Sequence, residues 1–482
     1  MSATPLKLCT AVRLALLALA CSVPTAWATD LLQAWQAAEQ HDRSHAVARA
    51  AHATAQPRRD QATALWRPNV ALTAAAGAGT HDSDVRGAQF SAPGLGTSNG
   101  VDFSTSVHGG TATRWALQAS QPLYNPQRRA QQQQLGTQAA QAELQWQAAQ
   151  QALVLRTAQR YFDVAVAQEA LAVLALQRDA VQRAATEAQD RYALGSVPIT
   201  NIHEARARLA TLRAQELAAQ SELEVKRRLL ADSTGLAGAD LAVQLPAAGL
   251  ARSTSAAPLL RALTAWQQDA DATNPDIRLQ TLAVDSARAE VRKHSRRAAP
   301  TLDLVAQAGQ ERLHGSGDFG RARNKSLNAM VGVQLNVPLW SGGMRSAKEG
   351  EALALQAQAE AQLEAVREQV AQQVHAAHLG LSVGAERVQA LTENLTASEA
   401  RQGATRLGQE VGDRTLLDLL SAENDSAAAR LALAQARSQL LLERLRLAQL
   451  AGQLNEGTLR SVNQALAPSA ASTAAGDPSE SL

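Results

Sequence analysis

The chain has 482 residues, 46% of them apolar, and carries 46 basic against 44 acidic side chains for a net charge of +2. Such balance excludes a general polyanion binder, so no nucleic-acid partner is expected, and the apolar content excludes a disordered chain. Only 7 Trp, 3 Tyr and 4 Phe occur, while roughly a fifth of the residues are Ala, so long close-packed helices are expected rather than large globular cores.

Residues 1–28 read as a signal peptide: Lys7 and Arg13 are basic, Leu14 to Ala20 apolar, and Ala26-Trp27-Ala28 fits a cleavage site. Cys21 has Ala18 three residues before it, where a lipidation site usually has Leu, so lipidation is not the expectation. Cys9 and Cys21 are the only cysteines, so cleavage after Ala28 leaves a chain without disulfides or thiol chemistry.

The mature sequence repeats itself. Trp35-Gln36 through Arg67-Pro68-Asn69-Val70 corresponds to Trp266-Gln267 through Ala299-Pro300-Thr301-Leu302. Pro122-Leu123-Tyr124 corresponds to Pro338-Leu339-Trp340, and Tyr192-Ala193-Leu194-Gly195 to Gln409-Glu410-Val411-Gly412. The offset falls from about 231 to about 216, so the first copy carries some 15 extra residues between its strands. The expected organisation is a first repeat at 29–234, a connector at 235–258, a second repeat at 259–452 and a loose tail at 453–482.

Each repeat opens with a helix, Asp30 to about Leu65 and Leu259 to about Arg297. Two period-two stretches follow; Val331, Val333, Leu335 and Val337 alternate with Gly332, Gln334 and Asn336. They are long enough for tilted membrane strands. Between the strands, 83–112 and 315–325 read as mobile loops rich in Gly, Ser and Asn. Very long helices then run from about Gln127 to Leu194 and Met344 to Leu407, some 100 Å each at 1.5 Å per residue. Gly195 and Gly412 break them, and return helices cover 199–234 and 413–452. Ile202, Leu209, Leu212, Ala219, Leu223 and Leu230 make a coiled-coil seam, as do Leu363, Val366, Val370, Val374 and Leu381.

Four strands cannot sit in lipid as an open sheet, because their edge groups would be unsatisfied. Closure calls for several chains. Trp66, Tyr124 and Trp340 stand where helix meets strand, as rings at a lipid–water interface would.

Together these features resemble the TolC-type outer-membrane channels of type I secretion and multidrug efflux, over about residues 30–460. The residues that carry the resemblance are Asn274-Pro275-Asp276-Ile277, Tyr161-Phe162, Pro338 to Gly343, Leu194 to Asn201 and Val411 to Leu420. It implies a mainly α fold with four antiparallel strands per chain, closing as a 12-stranded barrel in a homotrimer. It also implies an outer-membrane location with a large periplasmic tunnel, and partners in a periplasmic adaptor and an inner-membrane ABC or proton-driven transporter. By the same resemblance Asp418 rings the pore constriction, with Ser421 where a second acid is usual. One carboxylate ring would favour cations, and crowding would raise the Asp418 pKa. Arg414 is the implied gate arginine. Its usual aspartate partner is Asn201, the position of a second partner is Asp190, and the gate tyrosine is Gln409, so an Arg414–Asp190 pair is expected to take over.

Enzyme chemistry finds no footing. His375 and His378, and His41 and His45, share helix faces but lack a third ligand at motif spacing, so no metal is expected. No nucleophile elbow, zinc-protease motif or phosphate loop occurs, and no cofactor is implied. The competing reading is a periplasmic coiled-coil adaptor without a pore, which leaves the strand pairs unexplained.

Overall fold

The computed structural model describes residues 29–94, 96–196, 198–236, 243, 261–295, 300–317 and 320–466. The expected signal peptide with Cys21, nearly all of the connector and the end of the tail lie outside the described residues. The chain divides into two compact units.

The first unit comprises Ala53–Glu143 and Gln280–Leu363. It holds a four-stranded antiparallel sheet in the order β1 (Asn69–Ala92), β2 (Gly96–Tyr124), β3 (Thr301–Gly317) and β4 (Gly320–Asn336). β2 and β3 come from different repeats, and their pairing, from Tyr124 opposite Leu302 to His108 opposite Ser316, joins the two copies into one sheet. β1 and β4 are its edges. Along β4 the alternation works as expected: Leu327, Val331, Val333 and Leu335 present one apolar face, and Val331 is 77% exposed. Among the described residues no element covers it.

The stretches read as loops are strand. β1 and β2 pair as far as Ala92 opposite Gly96, and β3 and β4 as far as Gly317 opposite Gly320. Ser, Thr and Gly in 83–112 look turn-like singly, yet Val85, Phe103 and Val107 keep enough alternation to extend the ladder. The extra residues of the first repeat thus lengthen a hairpin. Residues 96–107 of β2 pair with β1 alone, because β3 joins only from His108.

The second unit comprises residues 1–52, 144–279 and 364–482, within which the description starts at Thr29 and stops at Leu466. Its elements include α1 (Leu31–His41), α2 (Arg43–His52), α5 (Ile199–Thr234), α6 (Leu263–Thr273), α9 (Leu416–Leu450) and α10 (Glu456–Gln464). α3 (Ala55–Ala64) belongs to the sheet unit, while α4 (Pro126–Ala193), α7 (Pro275–His294) and α8 (Met344–Glu410) have residues in both. The long helices match the expected ranges closely. Ile202, Leu212, Leu223 and Leu230 are buried along α5, and Val370, Val374 and Leu381 along α8, so the narrow seams are the packing faces.

Each opening helix is broken, unlike the continuous helices expected. Asp42 ends α1 by donating its N–H to Ala38 and starts α2 by accepting the His45 N–H at 2.8 Å. Asn274 does the same between α6 and α7, with its N–H on Ala270 and its Oδ1 accepting from Asp276 and Ile277. Both are repeat-equivalent Asx caps. The apolar period runs on across the joint, which is why the sequence reads as one helix.

These joints dock on the ends of the return helices. α5 ends at left-handed Gly235 (φ 71°), where an added Cβ would lie 2.5 Å from the His41 ring. α9 is followed by Gly452 (φ 62°), where a Cβ would lie 2.8 Å from the Thr273 carbonyl oxygen. Thr273 Oγ1 donates to Ala451 O at 2.6 Å and Asn274 Nδ2 to Leu450 O at 3.0 Å, satisfying carbonyls that a helix end leaves open. The duplication is therefore visible as one contact made twice.

The loose tail begins with a folded element. Leu459 and Val462 of α10 join Leu31, Tyr161, Phe162, Leu441 and Leu445 in one core, and Asn463 accepts the Leu31 N–H at 3.0 Å. The polar composition of 453–482 hid this short amphipathic helix.

Candidate functional site

The candidate gate lies where α4 turns into α5 and α8 into α9. Both turns are the same Schellman cap. Gly195 (φ 70°) donates to Tyr192 O and Ser196 to Arg191 O; Gly412 (φ 85°) donates to Gln409 O and Asp413 to Gly408 O. Both glycines occupy the left-handed conformation that a side chain would strain. Val181, Ala184, Ala185 and Ala188 of α4, Ile202, Ala205 and Leu212 of α5, and Leu416 and Leu420 of α9 then form one core, so the turns stand on packed helix ends.

Only the second repeat adds a side-chain cap. Thr415 Oγ1 accepts the Asp418 N–H at 3.2 Å, and Asp418 Oδ2 accepts the Thr415 N–H at 3.0 Å and hydroxyl at 2.8 Å. The counterpart before α5 is Pro198, which makes no side-chain cap bond. The Thr415 N–H and hydroxyl hold the Asp418 carboxyl below its ordinary range, and the charge of Arg414 adds to this. Within one chain the shift is thus opposite to the rise expected from crowding.

Asp418 and Ser421 are both exposed, one turn apart on the face of α9 opposite its buried row of Leu416, Leu420 and Glu423. Arg414 is exposed in the turn, its Cγ only 2.8 Å from where a Cβ on Gly408 would be. Asp190 is exposed, and Asn201 and Gln409 are partly buried. Among the described residues, no hydrogen bond or ion pair joins Arg414 to Asp190 or Asn201, so the expected exchange of partners is not made inside a chain.

Other charged links do join these helices. Arg406 Nη2 meets Glu423 Oε1 at 3.4 Å, with the Glu423 side chain only 9% exposed. Arg401 pairs with Asp425, and Arg208 donates to the side chain of Asn424. Asp425 lies on the same exposed face as Asp418 and Ser421, one turn beyond Ser421. Sequence reading missed these residues, although a signal existed. In an antiparallel helix hairpin, residues at comparable distances before and after the turn face one another, and Arg401 and Arg406 lie before it as Glu423 and Asp425 lie after it.

The three rim aromatics differ. Trp66 donates its Nε1–H to Gln132 Oε1 at 2.9 Å and so closes the junction between the start of β1 and α4. Tyr124 is 40% exposed and Trp340 is 89% exposed. The first plugs its junction while the third presents its ring outward. Among the described residues no helix is long and apolar enough to cross a membrane, and no cluster of acids, histidines or cysteines fits a metal.

The chain is 28% identical to outer membrane protein TolC of Escherichia coli (strain K12) over 312 residues, 63% of this chain and 62% of that one. It is 28% identical to the proteases secretion protein PrtF of Dickeya chrysanthemi over 295 residues, 61% of this chain and 63% of PrtF. The alignments thus span under two thirds of these curated relatives. The crystal structure of the outer membrane protein VceC from Vibrio cholerae superposes with a TM-score of 0.67 at 19% identity, covering 88% of this chain and 96% of VceC. That likeness shows the fold. The model of the outer membrane efflux protein family matches residues 34–236 and 266–453, most of the chain and both repeats. That family consists of transport channels of the outer membrane rather than enzymes. Its match falls on both copies of the strand pair and of the capped helix turn, and the chain belongs to the outer membrane efflux protein family.

Proposed function

We propose that the chain is one third of a trimeric exit duct: a 12-stranded barrel in the outer membrane continued by a helical tunnel across the periplasm. The observation that carries this reading is the four-stranded sheet, whose two edges and apolar face are left open by the described residues. Lipid tolerates such a sheet only when its edges are paired, and three copies supply the pairing. A periplasmic adaptor and an inner-membrane transporter, ABC or proton-driven, would complete the system. Kinship with a proteases secretion protein supports the type I secretion branch.

In this reading the Gly195 and Gly412 turns form the periplasmic end, and Asp418 and Ser421 line its narrowest point. Arg414, which makes no ion pair among the described residues, meets Asp190 or Asn201 of a neighbouring copy, with Gln409 beside them. The test is single-channel recording in planar bilayers. A trimer that conducts poorly at rest and opens on Arg414→Ala supports the reading; a protein that leaves membranes with salt and forms no channel is an adaptor instead. Capture of the inner-membrane partner then separates secretion, through an ABC transporter, from efflux, through a proton-driven pump.

A further inference from the structure

A cleft of about 140 Å³ opens in the sheet unit, beside the junction between the start of β1 and α4. Its walls are Trp66, Tyr124, Arg129, Gln133, Arg292 and Lys293. It is a built feature. Trp66 is fixed by Gln132, the Trp66 carbonyl accepts from Gln121 Nε2 at 2.6 Å, and Arg128 Nη1 ties α4 to the Leu65 carbonyl at 2.7 Å. Gln127 and Arg128 N–H groups of the first turn of α4 are taken by Asn125 Oδ1, so an anion in the cleft would be held by side chains rather than by the helix end.

The charged residues that line the cleft are all basic, with the acid Glu290 just beside it. Lys293 is engaged with Glu290 at 2.8 Å, as is His294 at 2.9 Å. Arg129 and Arg292 make no ion pair or side-chain hydrogen bond among the described residues. Two unpaired guanidiniums therefore face a small cleft with a Trp and a Tyr in its wall. Trp66 in its wall stands just before β1, in which Val70 and Leu72 are exposed apolar residues. Acyl chains would lie along that sheet while a phosphate entered the cleft. The cleft has room for a phosphate group. Guanidinium binds phosphate oxygens in a fork, and Trp and Tyr favour the headgroup level.

We propose that this cleft binds the phosphate of an anionic glycerophospholipid in the periplasm-facing leaflet. The proposal rests on the membrane reading of the sheet and adds a specific lipid site to it. No single stretch of sequence points to it, because Arg129 follows the strand pair and Arg292 precedes the next one, some 160 residues on.

The test uses the full chain extracted in mild detergent, with native mass spectrometry after addition of phosphatidylglycerol, phosphatidylcholine or inorganic phosphate. The wild type should retain phosphatidylglycerol over phosphatidylcholine. Arg129→Gln combined with Arg292→Gln should bind it about ten-fold more weakly, as expected for loss of charge-assisted bonds. Arg292→Gln alone changes an exposed side chain and should show part of the loss, and the double Lys variant should restore part of the binding. Equal retention of the two lipids, no loss in the Gln variants, or displacement of the lipid by millimolar phosphate each overturns the site. A chain washed off membranes by salt overturns the membrane reading and the site together; one that needs detergent but shows no arginine-dependent lipid overturns the site alone.

Discussion

The Asp418 carboxylate closes a ring with Thr415, accepting its N–H and its hydroxyl while Thr415 Oγ1 accepts the Asp418 N–H. The residue proposed for the pore constriction therefore also caps the helix that carries it. Asp418→Asn should lower cation selectivity, read as a smaller reversal potential in a salt gradient. Thr415→Ala keeps the charge but removes the cap, at a cost of about 1 kcal/mol, and should raise amide exchange in the first turn of α9 with selectivity retained.

The cap bonds also set a pH dependence. The Asp418 carboxyl is held below its ordinary value of 3.8. A carboxyl depressed in the folded state stabilises above its unfolded pKa, and that contribution is lost as pH falls through the folded value. Selectivity should accordingly stay constant from neutral pH down to about 4 and fall only in stronger acid. A decline beginning near pH 6 would show that three crowded carboxylates overcome the cap.

A second acid-sensitive point is the α1–α2 joint. Burial, with the nearby charge of Arg49, pushes the His45 imidazole below its ordinary value of 6.5, and among the described residues its Nδ1 has no hydrogen-bond partner. A base depressed in the folded state stays neutral there, so stability is full above pH 6.5 and declines as the unfolded chain protonates first. Burial would raise the Asp42 carboxyl, but bonds from Ser44, His45 and Arg156 outweigh it and hold it low, so its contribution goes only below 3.8. Melting temperature should fall in two limbs, and His45→Gln should remove the upper one.

The repeated docking contact predicts an inequality among glycines. Gly412→Ala places a side chain at positive φ, costing about 1–2 kcal/mol. Gly452→Ala carries the same penalty and in addition drives its Cβ onto the Thr273 carbonyl. Denaturant midpoints at matched protein concentration should fall further for Gly452→Ala. Equal losses would mean that the α6–α7 joint yields freely.

The buried end of the Arg406–Glu423 pair is the acid. Arg406→Ala strands a buried carboxylate and should destabilise the α8–α9 pair by about 1–3 kcal/mol. Glu423→Gln should cost less, because a neutral amide needs no counter-charge. Arg401→Ala, in a more exposed pair, should lie within about 1 kcal/mol of the wild type.

Long helices, strand pairs and helix-breaking glycines were legible because each rests on local chemistry: seam spacing, alternation, and a residue tolerant of positive φ. Asp42 and Asn274 escaped because an Asx joint leaves the apolar period intact on either side. The β1–β2 extension escaped because Ser, Thr and Gly suit turns and solvated strands alike. α10 escaped because its value lies in Leu459 and Val462 reaching a core built by α1, α4 and α9. At the candidate gate, family resemblance pointed to Asp418 and Arg414 and the glycines marked the two turns, but which charges meet across helices depends on helix rotation, which no single stretch of sequence encodes.

The unequal hairpins have a practical consequence. Between Gly96 and Val107 the β1–β2 ribbon has two strands among the described residues, and an isolated two-stranded ribbon is marginally stable in water. Its turn at Pro93 and Gly94 is therefore the place where foreign sequence can enter without disturbing the four-stranded ladder. An epitope tag inserted there should be displayed on intact cells, turning the length difference between the two repeats into a reporter of assembly.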